Sequence, residues 1–178
     1  MKKSAFLGAT IAFLALMPLH AASAATATAT MHLITKDGTG QAVGTVTIRE
    51  AAQGIVLEPD LKGLPPGQHG FHVHQNPDCG PGQNNGQTAA GFAAGGHFDP
   101  AGTGKHLGPQ GAGHLGDLPV LVVVNASGVA NQPIVAPRLS LKDVQGRTLM
   151  IHEGGDNYSD EPKPLGGGGG RIACGLIK

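Results

Sequence analysis

Phe71-His72-Val73-His74 alternates apolar and imidazole side chains. In an extended strand successive side chains point to opposite faces, so Phe71 and Val73 turn toward a core while His72 and His74 stand together on the outer face. Two imidazoles on rigid backbone make half of a metal site, although the same four residues in isolation also describe two solvated histidines. The chain holds nine histidines, and their spacing decides between these readings. His97, His106 and His114 follow one another along a glycine-rich stretch that ends in Asp117. Three imidazoles and one carboxylate form a nitrogen-rich tetrahedral set that suits zinc. Glycines beside these residues (Gly95, Gly96, Gly104, Gly108, Gly111, Gly113 and Gly116) let the backbone close around an ion. The competing reading is a solvated polar loop with unrelated histidines. His72, His74 and His152 remain as an all-imidazole set, which suits copper. His32 and His69 fall outside both sets and read as structural or surface residues, while His20 lies within residues 1–24, read below as a cleavable signal.

Strands must position these groups. Met31–Thr35, Ala42–Glu50, Ile55–Leu61, Phe71–His74, Val120–Asn125, a proline-interrupted run from Ile134 to Leu141, Thr148–His152 and Arg171–Ile177 are short, rich in β-branched residues and bounded by turn residues. Gly and Pro interrupt every candidate helical period. The pattern predicts an all-β domain, an antiparallel sandwich or Greek-key barrel of about eight strands. Two segments carry no strand signal: 75–119, rich in Gly, Asn, Pro and His, and 153–170, which ends in five glycines. Long loops of this kind inside a compact domain are functional or disordered, and these carry three of the histidines and seven of the acidic residues. The start of the domain, Ala25–Thr30, reads as a frayed leader.

Met1-Lys2-Lys3, an apolar run to about Pro18 and Ala22-Ser23-Ala24 have the form of a cleavable secretory signal over residues 1–24, leaving one domain over 25–178. The apolar run is too short to cross a bilayer, so no membrane attachment is expected after cleavage. The whole chain has a formal net charge of zero, and losing Lys2 and Lys3 leaves the remainder slightly acidic. No basic cluster or aromatic platform marks a nucleic-acid partner. Export places Cys79 and Cys174 in an oxidising compartment, where an even pair forms a disulfide. Such a long closed loop contributes about 4–5 kcal/mol through the restricted unfolded chain, less any strain.

Taken together, Phe71-His72-Val73-His74, Gly96-His97-Phe98, His114-x2-Asp117, Gly155-Asp156 and Gly170-Arg171-x2-Cys174-Gly175 resemble the motifs of the copper,zinc superoxide dismutases. The segment 154–169 (GGDNYSDEPKPLGGGG) resembles the bacterial periplasmic branch. The resemblance implies an immunoglobulin-like Greek-key sandwich with two long functional loops. It implies copper on His72, His74, His97 and His152, and zinc on His97, His106, His114 and Asp117, with His97 shared between the two ions. Asp156 would link His72 to His106, and Arg171 would draw in superoxide as the anionic substrate. Cys79–Cys174 would tether the first loop to the last strand. The implied reaction is a two-step redox cycle yielding oxygen and hydrogen peroxide, with His97 leaving copper and taking a proton. The implied location is the periplasm. Lys105 and Lys163 are candidates for steering substrate, although each also reads as an ordinary surface lysine. An exported copper- or zinc-binding module without turnover is the alternative function, and Arg171 separates the two because a buffer has no use for a cation beside the metal. The sequence leaves open whether the protein is a monomer or a homodimer.

Overall fold

The structure, a computed structural model, describes residues 25–124 and 126–178. The signal assigned to 1–24 lies outside the described residues. Strands β1 (Thr26–Thr35), β2 (Gly38–Glu50), β3 (Ile55–Leu61), β4 (Gly67–His69), β5 (Phe71–His74), β6 (Gly82–Asn84), β7 (Gln87–Ala89), β8 (Leu121–Val123), β9 (Ile134–Ala136), β10 (Thr148–His152) and β11 (Arg171–Leu176) pair antiparallel throughout. Seven of them form one curled sheet in the order β5-β10-β11-β1-β2-β3-β9, while β4-β8 and β6-β7 make two smaller ladders. Mutual backbone hydrogen bonds between Leu61 and Ala130 join β3 to the chain after β8. Met31, Ile48, Leu57, Phe71, Val73, Leu121, Leu149 and Ile151 belong to the main core enclosed by these strands.

The all-β expectation holds, with differences in detail. Ala25–Thr30 is not frayed: Thr26–Thr30 opens β1, pairing Ala27 with Ile48 and Ala29 with Val46. Its alternation of outward Thr and inward Ala is a strand signal that the small alanine side chains disguise. The strands number eleven rather than about eight among the described residues, because the short β4, β6 and β7 join the eight expected segments. β6 and β7 break up the 75–119 loop, turning at Asn85-Gly86, where φ is +50° and +79°. Asn-Gly is the residue pair that such a hairpin turn requires. The run from Ile134 stops at Ala136, before Pro137. One turn of helix, α1 (Leu141–Val144), follows it, with Ser140 and Asp143 forming a capping box.

The arrangement that matters lies at the edge of the large sheet. One side of β5 pairs with β10, and its other side is covered by the loop that follows. Val73 donates to the Gly116 carbonyl at 2.9 Å, Phe98 donates to the Val73 carbonyl at 2.8 Å, and Gly116 donates to Phe98 at 2.8 Å. Isolated bridges pair His72 with Asp117 and His74 with His97. His72 and His74 therefore are not on a solvated outer face: both are completely buried. Strand alternation places them away from the core, and the folded-back loop supplies the lid. Cys79 and Cys174 are disulfide-bonded, joining that loop to β11 across 95 residues.

Candidate metal centre

Six imidazoles converge under the loops. His97 is the hub: its ring centroid lies 3.9 Å from that of His72, 5.1 Å from His74, 5.4 Å from His106, 5.3 Å from His114 and 5.9 Å from His152. Buried polar atoms normally have hydrogen-bond partners, so those that lack one are informative. Among the described residues, the buried side-chain atoms without a partner are seven: His72 Nδ1, His74 Nε2, His97 Nε2, His106 Nδ1, His114 Nδ1, His152 Nε2 and Asp117 Oδ2. Two of them, His106 Nδ1 and Asp117 Oδ2, face each other at 3.0 Å; so many ligand-type atoms without hydrogen bonds fit metal coordination better than a packed core.

The remaining ring nitrogens show why those atoms are free. His72 Nε2 and His106 Nε2 each donate to Asp156 at 2.8 Å, one to each carboxylate oxygen. His74 Nδ1 donates to the Gly95 carbonyl at 2.9 Å, and His97 Nδ1 stands 2.9 Å from Asp117 Oδ1. His152 Nδ1 faces the Gly169 carbonyl at 3.4 Å. A neutral imidazole that donates from one nitrogen presents a lone pair at the other, so these contacts set both tautomer and orientation.

Two groups of donor atoms, each within 4.8 Å of one another, could hold a metal ion: His72, His74, His97 and His152; and His72, His97, His106 and Asp117. The first contains the residues expected to bind copper. The second differs from the expected zinc set, because His72 stands where His114 was expected. Stacking of His72 on His97 brings it into the group. The Nδ1 of His114 has no partner and sits 3.5 Å from Asp117 Oδ1.

Charge divides the cluster. Burial, followed by the neighbouring His97, holds His72 and His74 well below the ordinary histidine range. His152 falls to about 3 for the same reasons in the same order. On the other side burial also opposes charge, but Asp117 and Asp156 outweigh it and raise His106 to about 9. Asp117 is held well below the usual carboxylate range by His106 and His97, against the effect of its burial. One half of the site thus presents neutral imidazoles, and the other places carboxylates against a charged one.

Arg171 lies at the start of β11, one strand from His152, with which it pairs. Its guanidinium donates to the Gly91 and Gly95 carbonyls at 2.7 and 2.9 Å and lies 4.1 Å from the centre of the Phe92 ring. Burial lowers it to about 10, which leaves it charged at neutral pH. Because Gly95 also accepts from His74, the arginine and the imidazole share one anchor. Lys105 and Lys163 are both exposed.

Residues outside the expected sets also shape the centre. His69 is buried, its Nδ1 2.7 Å from the His152 carbonyl and its Nε2 2.8 Å from that of Pro65, while His32 is half-buried on β1 with Nδ1 3.1 Å from the Gly40 carbonyl. Asp160 accepts the His106 backbone N–H at 2.9 Å, adding a tie between the two loops beside that of Asp156. Gly166, one of the five consecutive glycines, packs against Asp156 and His106 at a φ of +69°. Its role has no signature in the sequence beyond the glycine run.

Comparison with known proteins agrees with this geometry. The family model described as copper/zinc superoxide dismutase matches residues 42–177. A Cu-Zn superoxide dismutase 2 of Salmonella typhimurium strain LT2 is 56% identical over 169 residues, covering 94% of this chain and 97% of the relative. The solved structure of the Cu/Zn superoxide dismutase from Brucella abortus superposes with a TM-score of 0.84 at 50% identity, covering 86% of this chain and 100% of the other. That of the monomeric copper, zinc superoxide dismutase from Salmonella enterica gives a TM-score of 0.77 at 59% identity, with the same two coverages, 86% and 100%. The match extends across the strands and the loop that carry the six converging imidazoles, and by it this chain, an oxidoreductase, belongs to the copper/zinc superoxide dismutase family.

Proposed function

We propose that this chain disproportionates superoxide to oxygen and hydrogen peroxide, with copper on His72, His74, His97 and His152 and zinc on His97, His106, His114 and Asp117. The observation that carries the reading is the set of seven buried, partnerless donor atoms, all of which belong to these residues. When bound, copper supplies a one-electron couple and zinc a fixed charge. His97 is the proton carrier: its Nδ1 lies beside Asp117, with which it would share the zinc, leaving Nε2 to gain and lose the proton, and burial keeps that proton weakly held. Asp156 keeps the rings of His72 and His106 in place together. Arg171 attracts the anion by a local field, since the chain as a whole carries no net positive charge. Residues 1–24 act as a cleaved export signal, and the folded domain works in the periplasm.

Purified protein is expected to contain copper and zinc in stoichiometric amounts and to consume superoxide. Full metal content without consumption would favour the binding module. Arg171→Ala is expected to lower the rate about tenfold or more at low ionic strength and to flatten its salt dependence, with copper content unchanged. Arg171→Lys should recover part of the rate. Loss of copper from both variants would make the arginine a scaffold for the Gly91–Gly95 turn instead.

Zinc uptake should depend on pH. In the metal-free protein His106 is protonated below about 9, and its Nδ1 must lose a proton to bind. Each zinc therefore displaces about one proton, and affinity rises about tenfold per pH unit until His106 titrates. The same raised group stabilises the metal-free fold fully below the unfolded histidine value, and this contribution is lost as pH rises through about 9. Zinc titrations in weakly and strongly buffered solution measure the proton count; a count near zero at neutral pH would remove His106 from the zinc set.

A further inference from the structure

Five of the six clustered rings have their remaining nitrogen held by a carboxylate or a carbonyl. His114 is the exception: among the described residues no hydrogen bond to its ring is seen, and its orientation rests on its backbone. That backbone lies in a stretch without regular structure between His106 and Asp117. One side chain from elsewhere in the fold grips it. Arg138 donates from Nε to the Pro109 carbonyl at 3.0 Å and from Nη1 to Gly113 at 3.4 Å. From Nη2 it donates to Gly108 at 3.3 Å and to the His114 carbonyl at 2.5 Å.

We propose that Arg138 is a positioning residue for zinc, holding the 108–114 turn so that His114 Nδ1 is presented to the ion. The inference rests on the zinc reading above. Arg138 suits the task because a guanidinium carries five N–H groups in a rigid planar fork, enough to satisfy carbonyls on four residues at once. Its own backbone follows directly on β9, set between Ala136 at the end of that strand and the buried Leu139. The segment after β9 is thereby tied to the turn through side chain–backbone bonds, beside the backbone bond from His114 to the Lys105 carbonyl at 2.9 Å. Without the fork the Pro109 and Gly113 carbonyls lose this partner, and those of Gly108 and His114 keep only the long bonds from Gly111 and Asp117, at 3.3 and 3.5 Å. The turn then acquires alternative conformations, and zinc must order it on binding. A lysine keeps the charge but concentrates its donors on one nitrogen, so it cannot span the four acceptors.

The test uses the full exported chain, stripped of metal and titrated with zinc against a chelator, then with Co(II) as a spectroscopic probe. Arg138→Ala is expected to weaken zinc by about 10–100-fold and to change the Co(II) visible spectrum, and Arg138→Lys to weaken it severalfold. If Arg138→Ala melts at a lower temperature but keeps wild-type zinc affinity and Co(II) spectrum, the arginine is only structural and the inference is overturned. Should Arg138→Ala fail to fold, an Arg138→Lys protein matching the wild type in both readouts overturns it equally. Wild-type protein that takes up no zinc would overturn the zinc assignment itself, a result distinct from equal uptake by wild type and variants.

Discussion

His97→Ala is expected to fold, to bind both metals more weakly and independently of each other, and to lose about 10²–10⁴ of its rate of superoxide consumption. The reasoning is geometric. His97 is the one ring close to all five other imidazoles, and its two nitrogens face opposite sides: Nδ1 meets Asp117, while Nε2 has no hydrogen-bond partner. Truncation removes a ligand from each proposed set and the proton carrier from between them. The backbone pairing of residue 97 with His74 does not need the ring, so β5 should keep its cover. Asp117 Oδ1 loses its closest imidazole, and a buried carboxylate oxygen so exposed to loss of partners makes zinc affinity fall as well. Titrating zinc with and without copper, then copper with and without zinc, measures the coupling. Wild-type protein should show that each ion alters the other's affinity, and the variant should not. A variant that retains both the coupling and the rate would show that no shared imidazole is needed.

Gly166→Ala is expected to disturb both metals from a residue that binds neither. A Cβ at this position would lie 1.9 Å from Asp156 Oδ1 and 2.9 Å from His106 Nε2, distances that real carbon atoms do not adopt. Asp156 has to move, and with it the 2.8 Å bonds that orient His72 and His106. Losing an orienting carboxylate of this kind weakens a metal by about 10–100-fold, and here one carboxylate orients a residue of each proposed set. The left-handed backbone adds about 1–2 kcal/mol of destabilisation for any residue with a Cβ. Gly169→Ala separates these two effects. Its φ is +67°, nearly the same, but a Cβ there would meet nothing within 4 Å. Both variants should melt at a lower temperature; only Gly166→Ala should also lose copper and zinc affinity. Equal metal affinity in the two would mean that the bridge yields without consequence.

Several of these residues act at long sequence range. Asp156 reaches back 84 residues to His72 and 50 to His106, and the Cys79–Cys174 bond spans 95. Arg138 reaches Gly108, Pro109, Gly113 and His114 across the sheet edge. Such contacts stiffen loops that contribute little apolar surface of their own, and they link the two halves of the centre to one scaffold.

What could be read from the chain alone is what local order encodes. Alternation in Phe71–His74 and Thr148–His152 marks strands, because side-chain direction in extended backbone depends only on residue parity. The cysteine pair and the spacing of His97, His106, His114 and Asp117 carry chemistry in residue type, and the match of whole motifs points to the family. Ala27 and Ala29 carry little strand signal, because alanine shows weak strand preference until β2 supplies a partner. Burial of His72 and His74, the stacking of His72 on His97, the Arg138 grip and the Gly166 cradle arise only when segments tens of residues apart meet. Residue order determines which groups are present and which way each strand turns them; the folded chain determines which nitrogens are left without partners, because hydrogen bonding is decided by proximity in space.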